Sequence, residues 1–226
     1  GGQVGKQTAL GFDSIGDAKF YVMNSNYEVF KCLYNGQNIA NPSGQNATIE
    51  PSTSAAGYAS ATGIFTEGSG AGYIWKYMFT LPTDDVLKFL SSDFMPITLP
   101  TETTRTATAG LAVAGAVDVA LVENAGTNLP ASQTLFTAIK GDGTGGVLQI
   151  NTTAGGAIDT VSVAVRGSGY TYANVSVANG NLFSDQGLTS AVASTNALAG
   201  IEVVLPPKGG HGADADLELN AKRVMT

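Results

Sequence analysis

GYIWKYMFTL, Gly72 to Leu81, is the stretch on which the reading of the fold turns. Bulky side chains recur at every second position, Tyr73, Trp75, Tyr77, Phe79 and Leu81, with Ile74, Lys76, Met78 and Thr80 between them. A period of two sends the first set to one side of a pleated strand and the second set to the other. A helix would scatter the five bulky groups around its axis. The aromatic and β-branched content also favours a pleated surface. The expectation is a strand with one almost wholly aromatic face, serving as core or as a subunit interface, and a mixed second face.

Upstream, FYVMNSNYEVFKCLY (Phe20 to Tyr34) reads as strand, turn and strand, with Asn24-Ser25-Asn26 as the turn. In the second strand Phe30, Cys32 and Tyr34 share one face, and Val29 and Leu33 the other, as in a strand covered on both sides. Cys32 therefore reads as a small buried hydrophobe. A reactive thiolate needs a neighbouring cation or base, and alternation sends Lys31 to the opposite face. Asn35 to Gly72 is a long connection rich in Gly, Ser, Thr and Asn, with a short strand at Gly63–Thr66. Glu67 to Gly72 forms a flexible entry to the aromatic strand.

Downstream, PTDDVLKFL (Pro82 to Leu90) reads as a short helix capped by Thr83. Asp84 and Asp85 lie in its first turn, and Val86, Phe89 and Leu90 form its apolar stripe. Pro96 and Pro100 bracket an extended piece, Ile97 to Leu99. From Thr101 to Gly200 the text fills with Ala, Gly, Val and Thr, the mark of short strands and tight turns. This block repeats internally. Val117-Asp118 followed by Leu121, Val122, Gly126 and Leu129 lines up with Ile158-Asp159 followed by Ser162, Val163, Gly167 and Tyr170, a constant shift of 41 residues from Val117 to Ile158. Two copies fall short of a solenoid and predict two β units of one small domain. Asp118 and Asp159 then read as strand-end residues rather than as a pair of catalytic carboxylates.

GDGTGG (Gly141 to Gly146) satisfies the glycine spacing of a dinucleotide loop, but strand-like residues follow it where a helix is required. It is a hairpin turn, and no cofactor is assigned. After Ile201 to Leu205 comes PPKGGHG, in which His211 is the only histidine, near Asp214 and Asp216. Metal sites of this kind want at least two His or Cys ligands. No metal is assigned, and His211 reads as a loop-fixing residue. Ala213 to Ala221 reads as one or two helical turns, and Lys222 to Met225 as a strand cut short. The chain opens at Gly1 without an initiator Met, which predicts a longer natural protein.

Composition narrows the function classes. One Cys, one His and 13% charged residues leave few groups for acid–base or metal chemistry, so no enzyme activity and no small-molecule substrate are expected. A net charge of −7 opposes binding to a phosphate backbone, so nucleic acid is not an expected partner. No apolar run reaches the roughly 18 residues of a membrane span.

Three stretches together resemble the baseplate wedge proteins of T4-like contractile-tailed phages, of the gene-eight type and most like the cyanophage versions. They are FYVMNSNYEVFKCL (Phe20 to Leu33), GYIWKYMFTLP (Gly72 to Pro82) leading into Asp85 to Ile97, and PPKGGHGADADLELNAKRVM (Pro206 to Met225). They cover a little over a quarter of the chain, and their joint order carries the likeness. GSGYT (Gly167 to Thr171) is similar to β modules of many phage structural proteins. The resemblance implies a virion protein of the tail baseplate, assembled in the bacterial cytoplasm. It would be commonly a homodimer, would join other baseplate proteins and would have no enzymatic activity. Relative to the T4 form the N-terminal part is short or missing and Thr101 to Gly200 looks inserted.

The expected architecture is mainly β. An antiparallel β-sandwich-like domain with a short helix (1–104 with 199–226) has Ile201 to Met225 returning to complete the sheet of Tyr73 to Leu81. A small Gly/Ala/Thr-rich β domain (105–198) is inserted in it. A different class of function, a tail-fibre or adhesin-like module binding host glycans, is suggested by Tyr170 and Tyr172, expected to be exposed on a glycine loop.

Overall fold

A computed structural model describes residues 20–37, 44–68, 72–194 and 199–221. The cut-short strand expected at 222–225, the first residues of the chain and part of the glycine entry to the aromatic strand lie outside these. The elements in order are β1 (Tyr21–Met23), β2 (Glu28–Asn35), β3 (Tyr58–Ala59), β4 (Ile64–Thr66), β5 (Tyr73–Thr80), α1 (Thr83–Phe89), α2 (Thr103–Gly110), β6 (Val119–Asn124), β7 (Thr134–Gly141), β8 (Val147–Thr152), β9 (Ile158–Val165), β10 (Ala173–Val175), β11 (Leu182–Phe183), β12 (Ala191–Val192), β13 (Gly200–Val204) and α3 (Ala215–Glu218). The protein is mainly β, and every strand pairing is antiparallel.

The first sheet has the order β1-β2-β5-β4-β3, with β5 at its centre. The Asn24 turn works as expected: Asn24 Oδ1 accepts from the Asn26 and Glu28 amides at 3.0 Å, and Tyr27 takes a positive φ of 59°. The aromatic face of β5 does not run its full length. Val29 faces Phe79 while Phe30 faces Tyr77, so Met78 is an extra residue, and this bulge switches the side-chain alternation. Phe79 and Leu81 consequently join Met78 and Val29 in a core with Ala215 and Leu219 of the α3 segment. Trp75 and Tyr77 stay with Phe30, Cys32 and Phe65. Tyr58 and Ala55 of the long connection also pack on that second cluster, so it is filled from within the chain rather than held open for another subunit.

Helix α1 forms where expected, but Pro82 takes the N-cap position with no side-chain cap, and Phe89 points to solvent while Val86 and Leu90 pack inward. Ile97 to Leu99 is extended but joins no sheet. α2 is absent from the sequence reading, because TTRTATAG carries no apolar stripe. Glu102 caps it by accepting from the Thr103 amide at 3.2 Å, and Arg105 and Thr108 are its buried residues.

Beyond α2 the chain builds the second body. One sheet has the order β12-β11-β7-β8-β9, with β10 also on β7. β13 does not complete the sheet of β5 as expected. It pairs with β6, Val204 against Val119 and Ile201 against Val122. The ribbon β6–β13 therefore belongs to the second body as much as to the first. Val119 and Leu121 pack with Trp75 and Phe65, whereas Ala120 and Ile201 pack with Leu135, Leu148 and Ile150. The expected cut at 198/199 falls just before β13, which pairs into the unit assigned to 105–198, and α2 at the other end binds the first body.

The 41-residue repeat is a pseudo-two-fold in three dimensions. The Val117 amide donates to the Arg166 carbonyl at 3.0 Å, and the Ile158 amide, its counterpart, donates to the Ala125 carbonyl at 2.8 Å. The Tyr170 amide donates to the Gly115 carbonyl at 3.3 Å, and the Leu129 amide donates to the Gly156 carbonyl at 3.0 Å. Each unit lends its glycine turn to the other. The partner strands match as well: β13 against β6 and β8 against β9 each carry an irregularity at the corresponding step, Gly200/Ile201 and Val147/Leu148. Gly126 and Gly167, equivalent in the repeat, share a φ of 63°. At Gly115 and Gly156 a Cβ would run into backbone atoms of Tyr170 and Leu129, so these turns require glycine for close approach as well as for their positive φ.

Candidate functional site

The mixed face of β5 carries the molecule's concentration of buried charge. Lys31 faces Lys76 across the β2–β5 ladder, and both are buried. Like charges directly opposite each other repel, and a buried ammonium is costly unless paired. Neighbouring elements supply the compensation. Lys31 Nζ donates to the Glu218 carbonyl at 2.7 Å, and Lys76 Nζ donates to the Thr62 carbonyl at 2.6 Å. Burial pushes the Lys76 ammonium down to about 8, with Arg166 adding to the shift while Asp118 and Glu218 pull the other way.

His211 sits in the same knot. Its Nδ1 lies 2.9 Å from Glu218 Oε2, and Glu218 Oε1 accepts from the Gly212 amide at 2.5 Å. The ring thus holds its loop through a carboxylate, and Gly212 lies close against the end of Lys76. The aspartates beside His211 in sequence go elsewhere. Asp214 accepts from the Leu217 amide at 3.2 Å to cap α3, and Asp216 meets Arg105 Nη1 at 2.9 Å. Arg105 also donates to the Thr98 carbonyl at 2.7 Å. Among the described residues no group of His, Cys, Asp and Glu is arranged to hold a metal.

Asp118 and Asp159, equivalent in the repeat, part company. Asp118 is buried and bridged by Arg166, whose Nη2 lies 2.9 Å from Asp118 Oδ2, while Asp159 is exposed. The Asp118–Arg166 pair forms one wall of a cleft of about 430 Å³ between the first sheet and strands β6 and β9, with Tyr34, Ile64, Ile74 and Val161 among its lining.

The remaining candidates fall as follows. Trp75, Tyr77, Phe79, Phe30 and Cys32 are buried within this one chain, and Tyr73 is half-buried, stacked on Trp75 at 5.3 Å. Burial pushes the Cys32 thiol up to about 12, the behaviour of an inert core cysteine. GDGTGG is the β7–β8 hairpin loop. Its Asp142 accepts from the Thr171 hydroxyl and from the Thr171 and Tyr172 amides, and those bonds hold its carboxyl down at about 2. Tyr170 was expected exposed and is buried, its hydroxyl donating to the Ile139 carbonyl at 3.0 Å and accepting from the Gly146 amide at 3.1 Å. Of the two loop tyrosines only Tyr172 faces solvent.

Sequence reading missed Lys31, Lys76, Arg105, Asp118 and Glu218 as one assembly. The available signal was two lysines, Lys31 and Lys76, each interrupting an otherwise apolar strand. The arrangement's chemistry is cohesion: it ties β2, β5, α2, the His211 loop and α3 together through groups that satisfy one another. No helix among the described residues is long and apolar enough to cross a membrane. No protein-family model, no curated protein and no solved structure matches the chain.

Proposed function

We propose that the chain is a structural subunit of a contractile-tailed phage virion, a baseplate wedge component that joins neighbouring tail proteins and carries out no catalysis. One observation carries the reading. The three stretches that resemble baseplate wedge proteins are distant in sequence and adjacent in space. β2 of the first pairs with β5 of the second. The third returns to both: Glu218 takes the Lys31 ammonium on its carbonyl, and Ala215 and Leu219 pack on Met78 and Phe79. A likeness spread over three segments thus falls on one continuous body, with the duplicated β unit set beside it.

Sedimentation velocity of the purified chain, alone and mixed with wedge proteins of a T4-like phage, tests the proposal. A homodimer, or a faster species in the mixture, is the expected result, and a monomer that joins nothing would overturn it. A glycan-binding role keeps a narrower footing in Tyr172, which Asp142 holds outward. Titration with cell-envelope glycans to millimolar concentration separates the two, since an assembly subunit gives no response.

A further inference from the structure

Six described large apolar side chains are more than half exposed, and five of them, Leu87, Phe89, Phe94, Leu99 and Leu217, belong to one region of the first body. Four come from a single 20-residue stretch, α1 and the segment that follows it. The inner side of that stretch is fixed: Val86, Leu90, Met95 and Ile97 pack on Val29, Met78, Phe79 and Leu81. The outer side is therefore a preformed surface. Ser91 turns the chain back at the end of α1, its amide donating to the Phe94 carbonyl at 3.0 Å, which keeps Phe94 beside the helix end that bears Phe89. Arg105 Nη1 grips the Thr98 carbonyl at 2.7 Å and Asp216 Oδ1 at 2.9 Å, so one guanidinium ties the segment ending in Leu99 to the α3 segment bearing Leu217. Largely exposed apolar side chains gathered in one region of a chain with a buried core of its own, Leu87 and Phe89 on the two flanks of α1, mark a contact surface.

The rim states what it meets. Asp84, Asp85, Asp93, Glu102 and Asp214 lie in the same segments as the apolar residues, all at least partly exposed. Lys88 pairs with Asp84 at 3.0 Å, and buried Arg105 with Asp216 at 2.9 Å and Asp214 at 4.0 Å, which leaves Asp85, Asp93 and Glu102 as excess negative charge. Two copies placed face to face would bring these carboxylates together, which disfavours a second copy of this chain as the occupant. We propose that this face docks a protein segment presenting apolar side chains flanked by lysine or arginine. The inference deepens the assembly reading above by assigning the surface through which a neighbour binds and the chemistry of that neighbour.

The test uses the whole chain and two synthetic 16-residue peptides, one of leucine and lysine and one of leucine and glutamate in the same pattern, followed by fluorescence anisotropy. The leucine–lysine peptide is expected to bind and the leucine–glutamate peptide not to. Leu87→Ser/Phe94→Ser/Leu99→Ser and, separately, Asp85→Lys/Asp93→Lys are each expected to weaken binding by about tenfold or more, with the thermal unfolding midpoint unchanged. The control Glu123→Lys/Asp159→Lys, on exposed positions of the second body, leaves binding as it is. Equal binding by all variants reduces the effect to general attraction to an acidic protein and overturns the proposal. So does binding of the leucine–glutamate peptide, or concentration-dependent self-association that the serine variant abolishes. If the serine variant joins wedge proteins as well as the wild type does, this surface fails while the assembly reading stands. If neither joins them, the assembly reading fails and the peptide result still decides the surface.

Discussion

The two bodies of this protein are held together by different means. In the first, cohesion comes from side chains: a ring-filled cluster around Trp75, and a knot in which buried Lys31 and Lys76 donate to the Glu218 and Thr62 carbonyls while the Glu218 carboxylate meets His211. In the second, the decisive contacts are between backbones. Glycine turns let each half of a duplicated unit close on the backbone of the other at Tyr170 and Leu129. The first should therefore be sensitive to losing atoms and the second to gaining them.

Truncation of the central ring is expected to have the largest effect. Trp75→Ala should cost about 3–5 kcal/mol, measured by urea denaturation. A folded variant of wild-type stability would show that the aromatic cluster does not hold the first body. Next come the additions. Gly115→Ala and Gly156→Ala should each cost about 3 kcal/mol, because the new methyl meets backbone as well as a positive φ. The pseudo-two-fold requires the two losses to be similar. Gly145→Ala, also at positive φ but with open space around it, should cost only about 1 kcal/mol. Unequal losses at Gly115 and Gly156 would break the symmetry argument.

A pH titration sharpens the description of the knot. The folded chain holds Lys76 at about 8, below the ordinary value of 10.5. Between those values the unfolded chain binds the proton that the folded chain has released, so this residue's contribution to stability rises with pH, by roughly 2–3 kcal/mol across the window. Cys32 and Tyr34, both pushed up to about 12 by burial, act in the opposite sense at high pH, since the unfolded chain loses those protons first. The measurement is therefore the difference between wild type and Lys76→Met, which should move in favour of the wild type from pH 8 to 10.5. A flat difference would mean that the Lys76 amine is solvated. A modest effect is expected of Tyr170→Phe, at about 1–2 kcal/mol for the two hydrogen bonds of its hydroxyl. Its counterpart Leu129 never had such bonds.

Legibility in the sequence followed the range of the interactions. β2, β5, the Asn24 turn and α1 are written in local alternation, spacing and turn chemistry, and the repeat is written in a constant shift. The bulge at Met78 is invisible to a period-two reading, because nothing in YMF signals an extra residue. α2 escaped because a helix of threonine and alanine is held by what Arg105 and Thr108 bury against, not by a stripe. IEVVL reads as a strand, but whether it joins β5 or β6 is decided by the far side of the molecule. His211 was read against its sequence neighbours Asp214 and Asp216, whereas the fold gives it Glu218 after one turn of α3 redirects the chain.

The β6–β13 ribbon also sets an order of events while the chain is being made. β7, β8 and β9 are joined by short turns and can pair as they emerge, but Leu121 waits about 80 residues of synthesis for Glu202. Until then β6 shows an open edge and the apolar groups it later buries on both bodies, a template for the wrong partner. A nascent chain arrested before Gly200 would be the form most prone to aggregate, and release of β13 would close both bodies in one late step.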